Sequence, residues 1–136
     1  MRVLALDYGS ARCGCALSDP TGTLATPIAP VLRPDTRKGF ARVIGTVREH
    51  GVKRVVVGLP LGLSGRDTAQ TTEARAFAAR LAEAIPRVPV EMYDERFTTS
   101  IAAQAAGGDA RTSEDSRAAA VLLLDWMTHQ ARGTTA

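Results

Sequence analysis

A chain of 136 residues has about the length of one domain, so residues 1–136 are expected to form a single unit and two full domains are excluded. With 45% hydrophobic and 23% charged residues, neither disorder by composition nor dependence on disulfides is expected; no run approaches the roughly 20 apolar residues of a membrane span. The net charge of +3 agrees with a polyanionic partner, and an acid at position 7 comes too early for a secretory leader, so the expected location is the cytoplasm, with no membrane partner.

Val3 to Asp7 and Cys13 to Leu17 are short apolar runs separated by Tyr8-Gly9-Ser10, which predicts a hairpin; Ser18 to Gly22 is a turn signal. Leu24 to Leu32 carries Pro27 and Pro30, which donate nothing to a ladder and so belong on an edge strand. Asp35 is a candidate cap for a helix with Phe40, Val43, Ile44 and Val47 on one face, ending at Gly51. Val52 to Gly58 is a β-branched run typical of a strand covered on both faces. Glu73 to Ile85 repeats Phe77, Leu81 and Ile85 at helical spacing, and Val90 to Tyr93 is a last short strand. Helices are then predicted over Thr99–Ala106 and from Ser113 to about Gln130, with a loose tail from Gly133. This order predicts an α/β fold: a five-stranded mixed sheet, made of a three-stranded antiparallel meander plus two parallel strands, with helices on both faces and the first strand central. Cys13 and Cys15 are expected to be reduced and buried, since neighbours for a metal site are lacking and their spacing along a strand does not suit a disulfide.

Sites in such sheets gather outside the carboxyl ends of the parallel strands. Asp7 ends the first strand and Glu95 follows the last; because side chains alternate, only one of Asp94 and Glu95 can join Asp7. Asp115 lies on the helical stripe of Ala118, Ala119, Leu122 and Trp126, where a carboxylate is costly unless a partner meets it. Asp7, Glu95 and Asp115 could jointly hold Mg²⁺ or Mn²⁺, and two such ions would hydrolyse a phosphodiester. Each acid also has a plainer role open to it: Asp7 in tying down the following turn, Glu95 in pairing with Arg96 or Arg75, Asp115 in capping near Thr112. Asp19, Asp35, Asp67 and Asp109 belong in turns and caps. Arg12, Arg96 and Arg111 are the cations near this edge that could meet phosphates, Arg12 foremost. Ser64-Gly65-Arg66 lacks the Lys-Ser/Thr pair of a P-loop.

Four pieces in order, LALDYGSARCGCALSD from Leu4, VGLP from Val57, DERFTT from Asp94 and DSRAAAVLLL from Asp115, resemble the YqgF/RuvX family over nearly the whole chain. Its members are called pre-16S rRNA nucleases or Holliday-junction-resolvase-like proteins. The resemblance implies an RNase H-like fold, Asp7, Glu95 and Asp115 as metal-binding acids, and a metal-dependent nuclease acting on structured RNA or branched DNA. The expected role is maturation of the 5′ end of 16S rRNA in ribosome biogenesis, with junction resolution, which requires a homodimer, as the alternative. The chain departs from the family at Ala11 and Thr112-Ser113-Glu114, where basic residues are usual, and at Ser64-Gly65, where Asp-Gly is usual. Two further classes remain: a non-catalytic nucleic-acid or ribosome-assembly binder, which has no use for three carboxylates facing phosphates, and an ATP-binding protein related to sugar kinases and actin, which closes two such domains around its nucleotide where this chain supplies one.

Overall fold

The computed structural model describes residues 1–60, 65–95 and 114–134. In chain order it contains β1 (Val3–Asp7), β2 (Arg12–Ser18), β3 (Ala25–Leu32), α1 (Arg37–Glu49), β4 (Arg54–Leu59), α2 (Ala69–Ala84), β5 (Val90–Asp94) and α3 (Glu114–Thr134). The strands form one sheet in the order β3-β2-β1-β4-β5. β1–β2 and β2–β3 are antiparallel, while β1–β4 and β4–β5 are parallel, so the expected meander with two added parallel strands is observed and β1 is central. Pro27 and Pro30 lie on the edge strand β3. Cys13 faces Val31 and Cys15 faces Ile28, so Ala29 and Pro30 together oppose Gly14 in a bulge, and the missing N–H of Pro30 falls where the ladder is already interrupted.

Alternation along the strands sorts the core into two layers. Leu4, Leu6, Cys13, Cys15, Leu17, Val55 and Val57 point to the side covered by α1 and α2, where they meet Val43, Val47, Phe77 and Leu81. The ring of Phe77 stacks on Tyr8 at 4.7 Å and meets Phe40 edge-on at 5.9 Å. Val3, Ala5, Ala16 and Val56 point to the other side, against Ala119, Ala120, Leu122, Leu123, Trp126 and Met127 of α3. Both cysteines are free and buried, as expected.

Several boundaries differ from expectation for local reasons. α1 is capped by Thr36, whose hydroxyl accepts from the Gly39 amide at 3.1 Å; Asp35, one residue too early to reach that amide, accepts a hydrogen bond from the Tyr8 hydroxyl instead. α2 begins at Ala69 because Thr68 and Thr71 form a reciprocal capping box, and so starts before the first apolar repeat at Phe77. At the far end of α1, Gly51 takes a left-handed φ of 61°, which the chain reversal into β4 requires. α3 runs through Gly133 to Thr134, past the expected start of a loose tail. The helix predicted over 99–106 lies outside the described residues. No helix among the described residues is long and apolar enough to cross a membrane.

Candidate active site

Asp7 is the last residue of β1. Because Val3 and Ala5 point toward α3, so does Asp7, at the edge where the parallel strands end. Its neighbours across the sheet have no side chains. On one side it pairs directly with Gly14 of β2. On the other, one step beyond the Leu6–Val57 pair, lies Gly58 of β4.

Each glycine admits another acid. A Cβ on Gly14 would overlap the backbone carbonyl of Asp115, so the bare strand lets the first turn of α3 lie directly on the sheet. The buried Ser116 hydroxyl fastens this contact by accepting a hydrogen bond from the Cys15 amide at 3.2 Å. A Cβ on Gly58 would overlap the Glu95 carboxyl oxygen, so Glu95 passes over Gly58 on its way from the end of β5 to Asp7. Tyr93, two residues earlier on the same face, packs against the α3 layer and donates from its hydroxyl to the buried Asp125 of α3 at 2.6 Å. Strand alternation therefore selects Glu95 rather than Asp94 as the partner of Asp7.

Asp7 and Glu95 share a hydrogen bond. Burial raises the pKa of both; the bond then splits them, favouring the charged form of Asp7 and the neutral form of Glu95, which is pushed up to about 8. The charge of Asp115 pushes Asp7 up further, which brings the third acid within electrostatic reach. Its carboxylate faces Arg12, with Nε–Oδ2 at 3.3 Å. Among the described residues no three His, Cys, Asp or Glu side chains are grouped tightly enough to enclose a metal ion as they stand. The structure thus joins Asp7 to Glu95, seats the backbone of Asp115 on Gly14 within electrostatic reach of Asp7, and pairs its carboxylate with Arg12.

Asp115 occupies the margin of the buried stripe, not its middle. Its side chain is 39% exposed and Ala118 is exposed, while Ser116, Ala119 and Ala120 carry the buried face. Arg75 pairs with Asp67, not with Glu95, and Asp19 accepts from the Thr23 and Leu24 amides as a turn residue should. Arg96 and Arg111, and Asp109 with them, lie outside the described residues. Sequence reasoning passed over Gly14, Gly58 and Ser116. The usable signal was a glycine inside or at the end of an otherwise apolar strand, which marks a close approach.

The family model described as RuvX, Holliday junction resolvase, matches residues 1–129. Proteins named "Putative pre-16S rRNA nuclease" from Clavibacter michiganensis subsp. michiganensis and Anaeromyxobacter sp. are 42% and 40% identical, covering 89% and 93% of this chain and 78% and 96% of theirs. A protein of the same name from Koribacter versatilis is 44% identical over 98 residues, and the match spans 63% of its length. The solved structure "T. thermophilus RuvC in complex with Holliday junction substrate" matches with a TM-score of 0.72 at 17% identity, over 98% of this chain and 97% of that one. That likeness identifies the fold as RNase H-like.

Gly14→Ala must push the first turn of α3 off the sheet, and a loss of about 1–3 kcal/mol is expected, seen as a clearly lower melting temperature. Gly58→Ala meets only the flexible end of Glu95 and should leave the melting temperature nearly unchanged while separating Glu95 from Asp7. A pH series separates the two effects. An acid whose folded value is raised keeps a proton that the unfolded chain has lost, so in chelator the Glu95 carboxyl should make stability fall as pH rises from about 4.5 to about 8. Calorimetry across this range should show the fall in the unsubstituted chain and its loss in Gly58→Ala and Glu95→Gln.

Proposed function

The chain belongs to the RuvX family, whose model matches residues 1–129, and from that membership we propose that it is a divalent-metal-dependent endonuclease that trims the 5′ end of the 16S rRNA precursor in the cytoplasm. The observation that carries this proposal is the Asp7–Glu95 contact over Gly58, with Asp115 alongside. Two carboxylates facing each other in a half-buried site need a proton between them, and a cation relieves the same repulsion without one. An all-oxygen set of three acids suits hard ions, so Asp7, Glu95 and Asp115 are the residues that would hold Mg²⁺ or Mn²⁺. When bound, such ions activate a water and stabilise the leaving oxygen of a phosphodiester.

The chain's own part is charge placement. Asp7 and Glu95 converge from different strands and supply negative charge fixed by the sheet. Arg12 brings a planar fork of N–H donors suited to phosphate. Its bond to Asp115 joins an arginine with 62% of its side chain exposed to an acid with 39% exposed, and pairs of this kind contribute at most about 1 kcal/mol. An incoming phosphate therefore competes effectively for Arg12, and its capture leaves Asp115 free to act with the other two acids. Arg96 and Arg111 belong to the same proposal as further phosphate contacts.

A second reading, resolution of branched DNA by a homodimer, is favoured by the family's description and by the junction bound to the RuvC of matching fold. Cleavage of a 16S precursor fragment and of a four-way DNA junction should be compared in Mg²⁺, Mn²⁺ and chelator. Precursor cleavage requiring metal, and at least about 100-fold slower in Asp7→Asn and Glu95→Gln, is the expected result. Preferential cutting of the junction transfers the proposal to the resolvase reading. Tight RNA binding with no cleavage in either metal, and no metal-induced rise in melting temperature, indicates a non-catalytic binder instead.

A further inference from the structure

The cations of this chain are unevenly distributed. Arg33, Arg37, Lys38 and Arg42 stand within ten residues beside a single acid, Asp35, giving that stretch a net +3, equal to the net charge of the whole chain. Asp35 is occupied by the Tyr8 hydroxyl. Arg33, Lys38 and Arg42 are exposed and form no ion pair among the described residues. With Leu32, Thr36 and Gly39 they line an open groove of about 390 Å³ between the end of β3 and the first turns of α1.

The groove continues the edge that carries the acids. β2 reverses β1 and β3 reverses β2, so β3 ends where β1 ends. Leu32 pairs with Arg12, and the Arg33 amide donates to the Ala11 carbonyl at 2.9 Å. Two strand spacings of about 4.8 Å separate β3 from β1, and Leu32 pairs with Arg12, two residues beyond the Gly14 that pairs with Asp7, so groove and acids share the edge but are separated both across and along the strands.

The backbone at Arg33 supplies an independent argument. Its φ of 46° is the left-handed region, which a non-glycine residue enters at a cost. Capping of α1 imposes that shape: the Arg33 carbonyl accepts from both the amide and the hydroxyl of Thr36, at 3.1 and 2.7 Å. Glycine would adopt it freely, so the arginine stands here against a backbone preference while its guanidinium makes no ion pair among the described residues.

We propose that this groove grips the phosphate backbone of the nucleic acid flanking the cut site, with Arg33, Lys38 and Arg42 as phosphate contacts. The class of ligand rests on the nuclease reading above, and the position of the groove on the active-site edge favours substrate over an acidic protein.

Fluorescence anisotropy of the full chain in chelator, with the precursor fragment and the four-way junction as probes over a range of KCl, tests this. Arg33→Gly should melt at or above the wild-type temperature, bind about 3- to 10-fold more weakly, and lower the slope of log Kd against log salt by about one. Arg33→Gly/Lys38→Gln/Arg42→Gln should lose between two and three in slope and at least about 30-fold in affinity. Unchanged affinity and slope in the triple variant overturn the proposal; a lowered melting temperature in Arg33→Gly overturns it by making the arginine structural. Absence of binding by the wild-type chain overturns it as well. Loss of binding in the triple variant, with a wild type that cleaves in no metal, supports the groove and removes the nuclease reading. A wild type that cleaves, with a triple variant that binds normally, does the reverse.

Discussion

Crowding of like charge at the end of β1 is the constraint around which the rest of the molecule is arranged. Asp7 sits between two strand positions that carry no side chain, and into those gaps come the backbone of Asp115 and the side chain of Glu95. The arrangement opposes folding, since burial raises both Asp7 and Glu95 above their ordinary values, with the charge of Asp115 adding to the rise at Asp7 and that of Asp7 to the rise at Glu95. It persists because the apolar faces behind it are large and separately complete. One layer centres on Phe77 and Leu81, the other on Leu122, Leu123 and Trp126, and both are sealed against the same sheet. Destabilising chemistry is thus confined to an edge while stability comes from the faces.

The cations complement this design at two depths. Arg12 lies against Asp115 and moderates the acidic cluster locally, in an exposed pair weak enough to be exchanged for another anion. Farther along the same edge, Arg33 and the first turns of α1, with Arg37, Lys38 and Arg42, carry a net +3 within ten residues. The left-handed backbone at Arg33 and the reassignment of Asp35 from cap to Tyr8 partner are parts of the same local construction.

Periodicity and proline placement made the sheet legible from sequence: Pro27 and Pro30 marked β3 as an edge strand, and the β-branched Val55 to Val57 marked a strand covered on both faces. Helix starts were less legible, because capping by Thr36 and Thr68 depends on which hydroxyl reaches an N3 amide, a choice that neighbouring Asp35 and Asp67 make ambiguous in one dimension. The position of Asp115 was misjudged for a similar reason. A helical wheel gives the angle of a residue around its axis but not the line along which the helix meets the sheet, and that line runs through Ser116, Ala119 and Ala120.

By itself the sequence determined the order and type of most of the elements, the side of the sheet each strand residue faces, and which acids stand at strand ends, because these follow from local stereochemistry and from periods of two and 3.6. Tertiary structure alone decided that Glu95 crosses Gly58 to reach Asp7, that α3 rests its backbone on Gly14, and that the cations of α1 share an edge with the acids. The element order already pointed to a meander with a central first strand, but close approaches depend on the exact register between neighbouring strands and on the line along which a helix meets the sheet, which packing between residues distant in the chain sets.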